Sequence, residues 1–366
     1  MTLRQILLAS ALLLTLSLSG CSGGSSSSGN PPPAPPVTNV YLAGWTYDAT
    51  TNFTQATYWR NGAATSLTGG TSNVYAQSIA VDSSGNVYVA GYYYDNATGI
   101  SIATYWKNGT ATNLTDGKLD GYANAIAVDS SGNVYVAGET TDATDGSSIA
   151  TYWKNGTATK LTGNMLEAYA QSIAVDSSGN VYVAGYTTNT TFGDLEVTYW
   201  KNGTVTILTD GTPYQASANA IAVDSSGNVY VAGDTTTIPN YSIATYWKNG
   251  AVTNLTDGTP YGAFANAIAV DGSGNVYVAG YTIDASYKKI ATYWKNGTAV
   301  PLPMPGVAED AYAYAIAVDS SGNIYVAGYG SDASGEYATY WKNGTATKLT
   351  EEMLSARATG IALSSE

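Results

Sequence analysis

Apolar and polar positions alternate in short bursts along the chain, with no helical stripe of any length past the first twenty residues. In one stretch, 123–129 (ANAIAVD), 134–138 (VYVAG), 149–154 (IATYWK) and 157–162 (TATKLT) each read as a strand of period two. Between them stand Ser-Ser-Gly-Asn, a longer polar connection, and Asn155-Gly156. Asn-Gly is the strongest short hairpin signal, because both central residues of the favoured turn need a positive φ. The pattern predicts four short antiparallel strands.

The same unit recurs. Trp59, Trp106, Trp153, Trp200, Trp247, Trp294 and Trp341 stand 47 residues apart, each within a variant of ATYWKNGT, and AIAVDSSGNVYVAG follows roughly two dozen residues later. A four-stranded unit of this length, repeated radially, describes a propeller blade between the usual WD and kelch lengths. Residues 37–45 (VTNVYLAGW) match a second strand, and residues 358–366 (ATGIALSSE) match a first strand and its turn. The two fragments complete one blade between them, which latches a ring shut and removes an unpaired edge. The expected fold is therefore all-β: a closed seven-bladed β-propeller over residues 37–366, its N- and C-terminal strands sharing one blade.

DSSGNVYVAG followed by ATYWKNG resembles the short β-propeller repeats (SBBP type) of secreted bacterial proteins. The resemblance spans nearly all of 37–366 and implies the fold. It implies no activity, since that family is defined by its architecture.

Composition narrows the functions. Only 11% of residues are charged, against about 25% in an average soluble protein. The formal charge is −13, which argues against nucleic acid, whose phosphates draw clustered Lys and Arg. The absence of histidine excludes Ser-His-Asp and Cys-His catalysis and the common histidine metal sites. Two carboxylates could still serve a glycosidase, and Glu139, Asp142, Glu167 and Asp234 fall on the side where loops vary. No acid recurs with a partner, however, and beyond residue 20 only Arg60 and Arg357 offer the arginines a sialidase-like propeller needs. The expectation is a protein that is not an enzyme and carries no cofactor or metal.

Residues 1–20 hold Arg4 and an apolar run from Ile6 to Leu18, too short to span a bilayer comfortably, and read as a signal peptide. Leu18-Ser19-Gly20-Cys21 resembles the bacterial lipobox, which implies cleavage before Cys21 and lipidation of its sulfur. Ser22 after the cysteine implies the outer membrane, facing either the periplasm or the cell surface. Residues 21–36 then form a linker, flexible in its Gly/Ser part and stiffer through PPPAPP. At about 3.3 Å per residue it reaches at most roughly 50 Å.

Several repeated residues have structural readings. The tryptophans and the companion tyrosines (Tyr41, Tyr88, Tyr135, Tyr182, Tyr230, Tyr277, Tyr325) are expected to pack between blades. The glycines Gly44, Gly91, Gly138, Gly185, Gly233, Gly280 and Gly328 are expected to give the indoles room. Asp82, Asp129, Asp176, Asp224, Asp271 and Asp319 read as Asx-stabilised turns, since a calcium loop needs further acidic ligands and a terminal Glu.

Function is expected on the rim whose loops diverge between blades. The opposite, uniform rim balances seven bases against six turn aspartates and Glu366, so the acid excess falls on the variable rim and the outer strands. The linker joins at the uniform rim, which places that neutral face towards the membrane. Two rings of residues border the variable rim. One runs Tyr75, Tyr122, Tyr169, Ser217, Phe264, Tyr312 and Arg357, followed two positions later by Gln77, Asn124, Gln171, Asn219, Asn266, Tyr314 and Thr359. The other runs Trp45, Tyr92, Glu139, Tyr186, Asp234, Tyr281 and Tyr329. Aromatic planes interleaved with amides suit sugars or peptides. Two readings stay open for these rings: a contact surface, or a lining that plugs the axial channel. The expected role is a monomeric, lipid-anchored binding module for a protein or glycan. The alternatives are a periplasmic scaffold for envelope assembly and a glycan-active hydrolase or lyase.

Overall fold

A computed structural model describes residues 38–162, 167–189, 193–209, 215–237, 241–257, 261–304, 310–333, 335–350 and 355–365. The expected signal peptide, Cys21 and the expected linker fall in residues 1–37, outside the described residues. Residues Val37–Glu366 form one compact unit of seven four-stranded antiparallel sheets. Blade 2 shows the plan: Val74–Val81 innermost, then Val87–Asp95, Ile100–Lys107 and the outer Thr110–Asn113. Blade 1 takes its inner strand, Ala356–Ser365, from the C-terminal end and the other three, Thr38–Asp48, Phe53–Arg60 and Ala63–Ser66, from the N-terminal end. Blades 3 to 7 follow in chain order.

Each interface between blades is its own small core. Trp106 of blade 2 packs with Val74, Ala76 and Ile79 against Tyr41, Ala43 and Ala56 of blade 1. On the opposite face, Tyr88 and Ala90 meet Ala123, Ile126 and Trp153 of blade 3. The indole thus faces back and the tyrosine forward, and seven such clusters circle the molecule. The cluster of Tyr325 and Ala327 with Leu42, Trp59 and Ala358 joins blade 7 to blade 1 and closes the ring.

One network recurs on the uniform rim. Asp82 Oδ1 accepts the backbone N–H groups of Ser84 (3.0 Å) and Asn86 (2.9 Å). Its Oδ2 accepts the Asn86 amide (2.7 Å) and the Tyr88 hydroxyl (3.0 Å). Asn86 in turn accepts the amide of Asn108, which stands in the Asn-Gly turn at φ 48°, so both turns lie on one rim. In the same turn of blade 3, the Asn133 amide leads in holding the Asp129 carboxyl below its ordinary value, against an opposing desolvation. Lys107 lies over the Tyr88 ring at 5.0 Å. The Asx-turn reading is what the geometry shows.

The glycine reading needs correction. A β-bulge between Ala76 and Ser78 interrupts the inner strand of blade 2, and Gly91 pairs with Ala76 at that point. A Cβ on Gly91 would sit 1.9 Å from the Tyr75 carbonyl oxygen, and the six equivalent glycines meet the same obstacle at 1.8–1.9 Å. These positions are glycine because the bulged backbone comes too close for any side chain, and not to accommodate the indoles.

Candidate functional site: the channel mouth

The bulge builds the mouth. In each blade it leaves one inner-strand residue without a cross-strand partner, and those residues are Gln77, Asn124, Gln171, Asn219, Asn266, Tyr314 and Thr359. Several span to the next blade at its own bulge. The Asn124 amide donates to Ala170 O (3.0 Å), Asn219 to Ala265 O (2.9 Å) and Asn266 to Ala313 O (2.9 Å). The Thr359 hydroxyl donates to Ala76 O at 2.9 Å, linking blade 1 to blade 2. These side chains, proposed from the sequence as ligand contacts, already serve as latches between blades. Gln77 and Gln171 instead lie beside the phenols of Tyr92 and Tyr186.

The two rings of the sequence are in fact one. Just before each bulge their members face each other as cross-strand pairs: Trp45 with Arg357, Tyr75 with Tyr92, Tyr122 with Glu139, Tyr169 with Tyr186, Ser217 with Asp234, Phe264 with Tyr281, and Tyr312 with Tyr329. Contacts then run from blade to blade. Phe264 stacks on Tyr281 (4.8 Å), Tyr281 meets Tyr312 edge-on (4.9 Å), and Tyr312 stacks on Tyr329 (4.7 Å). Arg357 bridges Tyr329 (4.3 Å) to Trp45 (5.3 Å), and the arc continues through Tyr75 (6.0 Å) and Tyr92 (5.2 Å) to Tyr122 (4.9 Å). Tyr314 lies alongside Tyr329 at 5.8 Å. Most of these rings are half-buried; Tyr329 is buried.

Arg357 is itself held by Glu336 of blade 7, through Nε to Oε2 (2.7 Å) and Nη2 to Oε1 (2.6 Å). This two-pronged pairing fixes the guanidinium plane as a cationic link in the aromatic arc. Glu336 escaped the sequence reading, because it opens a third strand at a position where no other blade puts an acid against an arginine.

Two carboxylates interrupt the arc. Glu139 accepts the Asn124 amide at 2.8 Å, and burial pushes its carboxyl up to about 7, only partly offset by that bond. Asp234 accepts Ser217 (2.9 Å) and Asn219 (3.2 Å), and burial raises it too. Between them, in blade 4, Tyr169 stacks on Tyr186 at 4.8 Å. Burial, with the neighbouring phenols, pushes Tyr92 and Tyr186 up to about 12, so both stay hydrogen-bond donors. The mouth is thus more aromatic and less anionic than a count of acids on the variable rim suggests. Asp142 lies in a surrounding loop, while Glu167, just before the inner strand of blade 4, accepts the Tyr169 hydroxyl at 3.3 Å. Among the described residues no cluster of three or more Cys, Asp or Glu could hold a metal ion.

The sequence model of the SBBP β-propeller repeat matches residues 65–92, 115–150, 167–193, 205–238, 258–288 and 306–334. No curated protein matches the chain. Among solved structures, a puromycin-hydrolyzing peptidase of Mycobacterium tuberculosis superposes with a TM-score of 0.58 at 14% identity, over 86% of this chain and 52% of the peptidase. The chain therefore spans about half of that enzyme's length. An ulvan lyase of polysaccharide lyase family PL25 superposes with a TM-score of 0.50 at 9% identity, over 89% of this chain and 91% of the lyase. At such identities the likeness is one of fold.

Proposed function

Because the chain belongs to the SBBP β-propeller repeat family, whose scaffold leaves function to the surface it displays, we propose that it is an envelope binding module that holds a glycan chain at the channel mouth without turning it over. The observation that carries this reading is the arc from Phe264 through Arg357 to Tyr122, continuous across five of the seven blades. Half-buried aromatic faces offer stacking area to the apolar faces of sugars, with few charges to desolvate. The phenols of Tyr92 and Tyr186 and the carboxyls of Glu139 and Asp234 supply donors and acceptors for hydroxyls beside them. A lipid on Cys21 would tether the module to the outer membrane through the linker, with the uniform rim inward and the mouth outward.

A catalytic reading has one supporting observation, the raised carboxyl of Glu139, which is the property of a general acid. Against it, Asp234 lies two blades away with the Tyr169–Tyr186 stack between, and each carboxylate is tied to an amide of its own blade. Incubating the full-length protein with a set of soluble polysaccharides tests both readings. The binding module retards at least one polysaccharide in affinity electrophoresis and leaves its chain length unchanged. Shortened products, or no retardation by any of them, would contradict the proposal.

A further inference from the structure

The second-strand position that faces the inner strand just before each bulge is aromatic in five blades, as Trp45, Tyr92, Tyr186, Tyr281 and Tyr329. Blades 3 and 5 put Glu139 and Asp234 there instead, where the aromatic arc breaks. Neither carboxyl has a counter-charge. On the third strand each faces an alanine, Ala150 and Ala244, and among the described residues no lysine or arginine pairs with either. Arg357, the base of the ring, is already paired with Glu336. Burial with no cation at hand disfavours the ionised form, which is why both carboxyls are raised.

The hydrogen bonds these two groups do make fall on one oxygen each. Glu139 Oε2 accepts the Asn124 amide (2.8 Å), and Asp234 Oδ1 accepts both Ser217 (2.9 Å) and Asn219 (3.2 Å). Among the described residues no donor reaches Glu139 Oε1 or Asp234 Oδ2. Phenols of the neighbouring blades stand beside both. The charge of Glu139 acts on Tyr92 of blade 2 and Tyr186 of blade 4, and that of Asp234 on Tyr281 of blade 6. A half-buried carboxylate oxygen beside aromatic faces suits an ammonium group, which it holds by ion pairing while the rings attract the same charge. The surroundings have the matching sign. The acid excess of the chain falls on this rim and the outer strands, a field that draws cations in and turns anions away.

We propose that the glycan held at the mouth is an amino-sugar chain with free amines, whose ammonium groups meet Glu139 and Asp234 while its rings lie on the tyrosines beside them. The inference rests on the mouth being the glycan site and names what that site selects. The two acids are two blades apart with the Tyr169–Tyr186 stack between them. A chain with an amine on every unit can meet both, where a lone amine meets one. An arriving ammonium restores the charged form that burial disfavours. A carboxylated or sulfated chain finds the reverse, two acids and a single base that is already paired.

The test measures the affinity of the full-length protein for three probes at about pH 6.5, below the usual range of amines: a glucosamine hexamer, the same hexamer fully N-acetylated, and hexalysine. The two sugars differ only in the acetyl groups that remove the charge, and hexalysine carries amines without sugar rings. The glucosamine hexamer is expected to bind at least about tenfold more tightly than either of the others. Its lead over the acetylated hexamer is expected to fall to about twofold or less when Glu139→Gln and Asp234→Asn are combined. Both substitutions keep the shape of the side chain and remove its titration, so the variant is expected to melt no lower than the parent. The comparison of the two sugars on the parent decides the matter even if the variant does not fold. Equal or tighter binding of the acetylated hexamer overturns the proposal and leaves the mouth reading standing. Capture of none of the three by a protein that retains another polysaccharide does the same. Hexalysine bound as tightly as the glucosamine hexamer overturns it in favour of a basic peptide. A lead that survives in the folded variant overturns the part given to the two carboxyls.

Discussion

Glu139 keeps a carboxyl among phenols where its six counterparts in the ring are aromatic or, in blade 5, the similarly raised Asp234. Its folded pKa of about 7 lies above the ordinary 4.5, so the native state holds a proton that the unfolded chain has released. Stability therefore falls as pH rises from about 4.5 to about 7, since in that window the unfolded state binds fewer protons. Glu139→Gln keeps the Asn124 contact geometry and removes the titration. Urea melts of the two proteins across this range are expected to diverge, the variant gaining up to roughly 3 kcal/mol relative to the parent by pH 8. Parallel pH profiles would show that Glu139 is solvated and ionised in the fold.

The bulged inner strand makes the mouth, and it depends on glycine. In blade 3, alanine at Gly138 would drive its methyl to 1.9 Å from the Tyr122 carbonyl oxygen, a backbone atom that cannot swing away. Gly138→Ala is expected to cost about 3 kcal/mol or more in denaturant melts. Gly156→Ala, at φ 83° with nothing within 4 Å of the added methyl, should cost only about 1–2 kcal/mol. Equal costs would mean the bulge relaxes freely. Strands, turns and the packing roles of Trp and Tyr were legible in the sequence because they rest on local periodicity and turn chemistry. The bulge was not: a stretch such as Ala76-Gln77-Ser78 looks the same with or without a skipped partner, so Tyr75 and Tyr92 read as members of two separate rings when they are one cross-strand pair. The Arg357–Glu336 pairing was hidden for another reason, since it joins residues on the two sides of the closing interface.

Across the whole molecule, near-sevenfold repetition makes the departures informative. Turns and inter-blade cores repeat almost unchanged, while Arg357, Glu139, Asp234 and Tyr287 each occur once and all lie towards the variable rim. A scaffold that spends its identical positions on closing a ring leaves the unlike positions to select a ligand. The most direct test measures the equilibrium affinity for a polysaccharide retained by the parent protein, before and after changing Tyr92, Tyr169 and Tyr281 together to alanine. Near-ultraviolet circular dichroism of the buried tryptophans confirms that the ring stays folded. At about 1 kcal/mol of stacking lost per ring, the account predicts a fall in affinity of at least a hundredfold. An unchanged dissociation constant in a folded variant would contradict it.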